Sequence, residues 1–237
     1  MTIPSPSMEQ CIFPIIVLDR INATFTCLGT GFFFHKDGWF VSAKHVIDDY
    51  IEKPEIEIIG IQSTNNDERH VRFVTDFNVH PVADIIVGKL GEAHDISRKK
   101  ILTVQPAVAR FNFAQLRQGD QLVSYGYPNT TSSIAGTKTQ FNFKSQRYTG
   151  QVKEWLEIAP FLPFPCYQTT INFKSGTSGG PVFTENAAVV GIHTASFDLD
   201  EGEPISYITP IDMMLDLGIF NEKGETVSVR SVLQRTH

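Results

Sequence analysis

The stretch S-G-T-S-G-G-P-V-F at 175–183 sets a serine among glycines. A serine hydroxyl is a weak nucleophile until a base takes its proton. The tetrahedral oxyanion made by its attack needs backbone N–H groups aimed at it. Glycine permits the dihedrals that turn such groups inward. Ser178 is therefore a candidate nucleophile, and the N–H groups of Gly176 and Ser178 are a candidate oxyanion hole. Gly179, Gly180 and Pro181 let the chain leave tightly. A base is offered in G-W-F-V-S-A-K-H-V-I (38–47), where an apolar run ends at His45. An orienting carboxylate is offered in H-P-V-A-D-I-I-V-G-K-L (80–90), where Asp84 opens an apolar run; Asp76 is its nearest rival. A carboxylate at the edge of a buried strand needs a partner. Taken singly, each feature has a plain structural alternative: a glycine-rich turn, a packed histidine, a strand cap.

The elements that must carry these residues are short. Apolar, β-branched and aromatic runs recur at 12–18, 32–34, 39–43, 56–61, 71–74, 84–90, 121–127, 168–173, 188–194 and 206–209, separated by Gly, Pro, Asn and Asp. That spacing predicts an all-β sandwich or barrel, not βαβ units. Helical patterning is confined to 44–51, a turn or two, and to 211–218, read as a short terminal helix with Gly218 as its stop. A linker is expected within 91–118, and a long polar surface loop at 129–140. Residues 219–237 read as a polar tail.

Composition narrows the class. The chain has 237 residues, 41% hydrophobic and 19% charged, with a net charge of −6, which describes an ordinary globular protein able to bury a real core. No basic cluster suggests nucleic acid, and no apolar run is long enough to span a bilayer. The first residues show no basic and apolar leader, and the three cysteines, Cys11, Cys27 and Cys166, form no C-x-x-C or disulfide ladder. These features lead to the expectation of packed thiols in a cytoplasmic protein.

G-T-G-F-F-F, V-S-A-K-H-V, A-D-I-I-V-G-K-L and S-G-T-S-G-G-P-V-F, in the chain order His, Asp, Ser, resemble the chymotrypsin-like (trypsin-fold) serine peptidases, above all their bacterial and HtrA-type members. The order carries weight because the same triad recurs on other folds in other orders. G-x-S-x-G at 176–180 also fits a nucleophile elbow, with Ser178, Asp212 and His237 in the required order, but the flanks read strand, turn, strand rather than strand, turn, helix. The trypsin-fold resemblance implies two antiparallel six-stranded β-barrels and a short C-terminal helix. The first barrel would occupy 8–105, and the second, with the terminal helix, 118–218. It implies an endopeptidase acting on protein or peptide substrates through Ser178, His45 and Asp84, with no metal or organic cofactor.

Thr177 precedes the nucleophile where zymogen-activated relatives carry an aspartate, so no activation by clipping is implied. G-I-H-T-A-S (191–196) resembles the pocket strand of viral 3C-like and glutamate-specific bacterial peptidases. That implies an S1 pocket holding His193, with Asn172, Thr170, Thr194 and Ser196 about it, and a preference for Glu or Gln at P1. Phe173 stands where those relatives place a pocket threonine, and a neutral Asn172 argues against Arg or Lys at P1. Thr194 is expected to support Asp84. The alternative is a trypsin-fold module that only binds partners, or whose catalysis is suspended until an activating protein orders 129–150 and Lys174–Ser175.

Overall fold

Alternation of apolar and polar residues lets a strand bury one face, and a sheet edge that curls round to pair with its own far edge leaves no open ladder. Both devices operate here. The computed structural model describes residues 8–19, 21–22, 24–53, 55–64, 68–95, 99–128, 130–135, 138–197, 205–221 and 223–235. After a single helical turn, α1 (Met8–Cys11), come β1 (Ile12–Asp19), β2 (Thr24–Phe33), β3 (Trp39–Ser42), β4 (Ile56–Ser63), β5 (Arg69–Val79) and β6 (Ile86–Leu90). They pair in the order β4-β1-β2-β3-β6-β5, and β5 returns to β4 to close an antiparallel six-stranded barrel.

The short strands β7 (Ala93–Asp95), β8 (Lys100–Leu102) and β9 (Arg110–Phe111) run in the connection to the second half. There β10 (Gln121–Gly126), β11 (Thr131–Ala135), β12 (Lys138–Asn142), β13 (Gln146–Leu156), β14 (Cys166–Thr169), β15 (Pro181–Thr184), β16 (Ala188–Phe197) and β17 (Ile205–Pro210) follow. The order β15-β10-β13-β14-β17-β16, with β16 paired back to β15, closes a second antiparallel barrel. A small hairpin, β18 (Gly218–Phe220) and β19 (Thr226–Ser228), leads into the short helix α2 (Val229–Arg235). The fold is thus the expected two-barrel, trypsin-like one.

Four local expectations are revised. The polar loop at 129–140 is a hairpin of β11 and β12, whose register runs from Thr131↔Asn142 to Ala135↔Lys138. Residues 44–51 make the turn or two expected, at Lys44–Val46 and Asp48–Tyr50, but 211–218 holds no helix beyond the 3-10 turn Ile211–Met214. The C-terminal helix lies later, in the stretch read as a polar tail. The connection between barrels is also tied down. Arg72, buried on β5, donates to Gln62 Oε1 (2.6 Å), to the Gly91 carbonyl (2.6 Å) and to the Val104 carbonyl. Beyond it, Ala109 N–H donates to the Phe33 carbonyl and Asn112 N–H to that of Val189, so the linker is stitched to each barrel in turn.

Aromatics fill the first barrel. Phe13, Phe32, Phe33 and Phe40 are fully buried, and the Phe13 ring lies 4.6 Å from that of Phe33 and 5.4 Å from Phe40. The ring fits because β2 and β4 present Gly31 and Gly60 to it: a Cβ at either position would lie within 2.8 Å of Phe13. The same apolar cluster continues into the second barrel through Tyr127, Phe183, Val189 and Ile192. The three cysteines are free, and burial pushes the thiols of Cys11 and Cys166 up to about 11. Removing the central ring is expected to be costly. Phe13→Ala should lower stability by about 3–5 kcal/mol, the range for an emptied aromatic site, seen as a lower guanidinium midpoint at unchanged m-value; a loss within error would disprove this account of the core.

Candidate active site

The strand register brings two of the candidate residues together. β3 and β6 are antiparallel neighbours with Ser42 opposite Ile86. Residues just past the end of β3 therefore meet residues just before the start of β6. His45 lies in the 3-10 turn that follows β3, and Asp84 on the connection that enters β6. Asp84 Oδ2 accepts from His45 Nδ1 at 2.7 Å, and Oδ1 accepts the His45 backbone N–H at 2.9 Å. An ionised carboxylate only accepts, so Nδ1 carries the proton and Nε2 keeps its lone pair, the tautomer a general base requires. Burial pushes the His45 pKa down, and the hydrogen bond and charge of Asp84 more than offset that, leaving it above the ordinary value. The Asp84 side chain is 12% exposed and that of His45 48%, so the imidazole stands at the surface with its carboxylate partner beneath.

Ser178 sits in a turn whose backbone bonds are almost all accounted for. Thr177 N–H donates to the Lys174 carbonyl, Gly180 N–H to that of Thr177, and Gly179 N–H to that of His193. Among the described residues, the N–H groups of Gly176 and Ser178 make no hydrogen bond, and neither does the Ser178 hydroxyl. Gly176 and Gly179 have φ of +90° and +79°, where an L side chain is strained. At Gly179 a Cβ would also press on Ser42 and lie 2.7 Å from the Ala43 nitrogen.

Thr30 of β2 locks this turn to the first barrel. Its N–H donates to the Ser178 carbonyl at 2.8 Å, and its hydroxyl donates to the Gly176 carbonyl at 3.0 Å while accepting the Tyr127 N–H at 3.1 Å. The Thr30 carbonyl accepts from Ser42 Oγ at 2.9 Å. Next to it, a Cβ on Gly29 would lie 2.7 Å from the Ser178 carbonyl and 2.8 Å from Val46, the residue after His45. The Ser178 turn thus packs against the residues flanking His45. G-T-G at 29–31 carried no role in the sequence reading beyond its place in the resemblance. Its partners, Gly176 and Ser178, lie far off in the chain, so no local pattern announces the bond.

The expected pocket residues divide. His193 is buried, with its ring stacked on Phe173 at 3.7 Å and 19°. Its Nδ1 is 3.0 Å from Thr177 Oγ1 and its Nε2 is 2.9 Å from the exposed Ser196 Oγ. Thr177 Oγ1 spends its single proton on the Lys174 carbonyl at 2.6 Å. It must therefore accept from His193 Nδ1–H, which leaves Nε2 as an acceptor for Ser196. Burial pushes the His193 imidazole down to about 3, so it is neutral at any physiological pH. Thr194 does not support Asp84: β16 bulges between His193 and Ala195, and the extra residue turns inward. Its hydroxyl instead meets Thr209 Oγ1 at 2.6 Å. Thr170 accepts the Gln151 N–H, Asn172 is exposed, and neither bonds His193.

The fold and site have counterparts. A family model described as trypsin-like peptidase domain matches residues 29–192. Among curated relatives, a probable periplasmic serine endoprotease DegP-like of Pseudomonas fulva (strain 12-X) is 25% identical over 196 residues, covering 80% of this chain and 34% of its own. One of the same description from Pseudomonas putida (strain W619) is 26% identical over 205 residues, covering 85% and 36%. The chain spans about a third of the length of these relatives. Among solved structures, the crystal structure of Deg5 aligns with a TM-score of 0.59 at 17% identity, covering 86% of this chain and 85% of that one. The HtrA-type protease AlgW with tripeptide aligns at 0.58 and 16%, covering 86% and 57%. The relatives' names overturn the cytoplasmic location expected from the sequence, since each is described as a probable periplasmic endoprotease. The expectation rested on a missing leader and on unpaired cysteines. Neither decides a compartment: a protein can do without disulfides anywhere, and the start of this sequence says nothing about what precedes it.

The Thr30 clamp is open to test. Thr30→Val removes the hydroxyl that serves both the Gly176 carbonyl and the Tyr127 N–H, a loss of about 1–3 kcal/mol where a buried polar group goes unmet. Reaction of Ser178 with a fluorophosphonate should slow at least tenfold in Thr30→Val and recover in Thr30→Ser; equal rates in all three proteins would remove the clamp from the account.

Proposed function

This chain belongs to the trypsin-like peptidase family, and on that premise we propose that it is a serine-type endopeptidase working on protein substrates outside the cytoplasm, as its relatives' names have it. The observation that carries the reading is the two-point hold of Asp84 on His45, at 2.7 and 2.9 Å, beside a turn with an unbonded serine hydroxyl and two unbonded N–H groups. In the first step the Ser178 oxygen attacks the scissile carbonyl carbon while its proton passes to His45 Nε2. The carbonyl oxygen becomes an oxyanion within reach of the Gly176 and Ser178 N–H groups. Collapse breaks the C–N bond, and the imidazolium returns the proton to the leaving amine. Water, activated by the same imidazole, then hydrolyses the acyl-enzyme and restores Ser178. Asp84 stays ionised and stabilises the imidazolium.

The tautomer of His193 narrows the expected preference at P1. The Nε2 lone pair of this neutral ring is held by the exposed Ser196 hydroxyl, which can turn aside for a substrate group. A glutamine side chain can donate an amide N–H to that lone pair, whereas a glutamate carboxylate has no proton to give. Glutamine is therefore the better fit. Asn172, exposed and neutral, adds no charge that would draw Arg or Lys.

Two measurements test the reading. A fluorophosphonate should label the folded protein and leave Ser178→Ala untouched; unlabelled wild type would sink the peptidase. Among matched peptides, Gln at P1 should give kcat/KM about tenfold above Glu, equivalent to ~1.4 kcal/mol; Glu, Arg or Ala ahead would remove His193 from the pocket. A pH prediction follows from His45. Its raised pKa stabilises the fold below the unfolded value and loses that contribution as pH rises through the folded pKa. The active base is the neutral form, so kcat/KM should rise with pH through a midpoint above that of free histidine. Asp84→Asn should lower that midpoint and cut kcat by several orders of magnitude; an unchanged midpoint would separate Asp84 from the base.

A further inference from the structure

The connection that delivers Asp84 is held by a second imidazole. His80 follows the end of β5, and its Nδ1 lies 2.7 Å from the Ala83 N–H and 3.2 Å from the Val82 N–H. Its backbone N–H closes the same turn onto the Ile85 carbonyl at 3.0 Å, and Ile85 N–H donates to Ala83 at 2.9 Å. The next residue after Ala83 is Asp84, whose two oxygens hold His45. Ala83 and Ile85 on either side of it are fully buried, so the peptide planes that aim the carboxylate have little room to move.

A nitrogen that faces two N–H donors must present a lone pair, so His80 is neutral with its proton on Nε2. In this pose Nδ1 stands in for the side-chain oxygen of an Asn or Asp that caps its own turn. Unlike an amide, the imidazole titrates near neutrality, and once protonated it turns a donor toward two donors. The charged groups facing it come from the C-terminal segment packed across the end of β5. Asp216 sits there, paired to Arg230 of α2 at 3.2 Å, and Gly218 accepts from Asn78 at 3.2 Å. Asp84 turns its carboxylate to His45. Burial holds the His80 pKa below the ordinary value, and the charge of Asp216 only partly opposes it.

We propose that His80 is a positioning residue for Asp84, and that protonating it frees the Val82 and Ala83 N–H groups, lets the carboxylate swing from His45 and switches the site off in acid. This rests on the assignment of Ser178, His45 and Asp84 given above. Two protonations then remove activity as pH falls, first at His45 and then at His80.

The experiment follows fluorophosphonate labelling and kcat/KM against pH for wild type, His80→Asn and His80→Ala, with circular dichroism as the check on folding. Wild type should lose activity along an acid limb whose logarithmic slope steepens from 1 toward 2. His80→Asn keeps an acceptor that does not titrate, so most activity should return and the limb should hold a slope of 1 to lower pH. His80→Ala should lose at least tenfold in kcat at the optimum, with KM near wild type. The proposal is overturned if His80→Ala matches wild type, if the His80→Asn limb steepens as wild type does, or if His80→Asn is folded but inactive or fails to fold at all, since its acceptor should rescue both. Wild type left unlabelled at every pH would instead bring down the peptidase assignment beneath it.

Discussion

Everything at this site hangs on one threonine that belongs to the wrong half of the molecule. Thr30 is fully buried in β2 of the first barrel, yet it bonds the Ser178 carbonyl, the Gly176 carbonyl and the Tyr127 N–H, all of the second. Two closed barrels share no ladder, so nothing in their pairing sets one against the other to within the fraction of an ångström that chemistry demands. Three hydrogen bonds from one β-branched residue, itself braced by Ser42, supply that alignment. They also explain why the neighbouring positions are glycine. A Cβ on Gly29 would push the Ser178 carbonyl away, and one on Gly179 would strike Ser42 and Ala43.

Three histidines around this junction illustrate how surroundings decide what one side chain does. His45 is surface-facing and paired to a carboxylate, so its charged form is favoured. His193 is buried, stacked on Phe173 and bonded to two hydroxyls, so it stays neutral and presents one donor and one acceptor. His80 caps a turn with a lone pair, so charging it opposes the turn. The ring is the same each time. What differs is whether its neighbours give protons or take them.

Much of the fold was legible because short apolar, β-branched and aromatic runs set off by Gly, Pro, Asn and Asp mark strands. Runs such as 39–43 and 121–127 became β3 and β10 close to where they were expected. The pairing of β11 with β12 was not legible, because N-T-T-S-S-I-A-G-T-K-T-Q has the composition of a loop. The 3-10 turn at 211–214 was overread as helix for a related reason: a few apolar residues at helical spacing cannot show whether the run will be long enough to propagate. Arg72 gave no signal either, since a cation on a strand looks solvent-facing until its carbonyl partners, Gly91 and Val104, are seen folded over it.

At the site, residue type and chain order were enough to nominate Ser178, His45 and Asp84, because few combinations of side chains can activate a hydroxyl. Dense glycine likewise marked where backbone N–H groups would be free. Which oxygen meets which nitrogen was beyond the sequence. Thr194 was nominated for Asp84 and went to Thr209, because a bulge moved it by one position. Thr170 was nominated for the S1 pocket, and its hydroxyl accepts the Gln151 N–H. Thr30 and His80 were passed over, although the first holds the turn of Ser178 and the second the turn that leads into Asp84. Chemistry is carried by the kind of atom, which a sequence states outright. Alignment is carried by contacts between strands far apart in the chain, and those exist only after both barrels have closed.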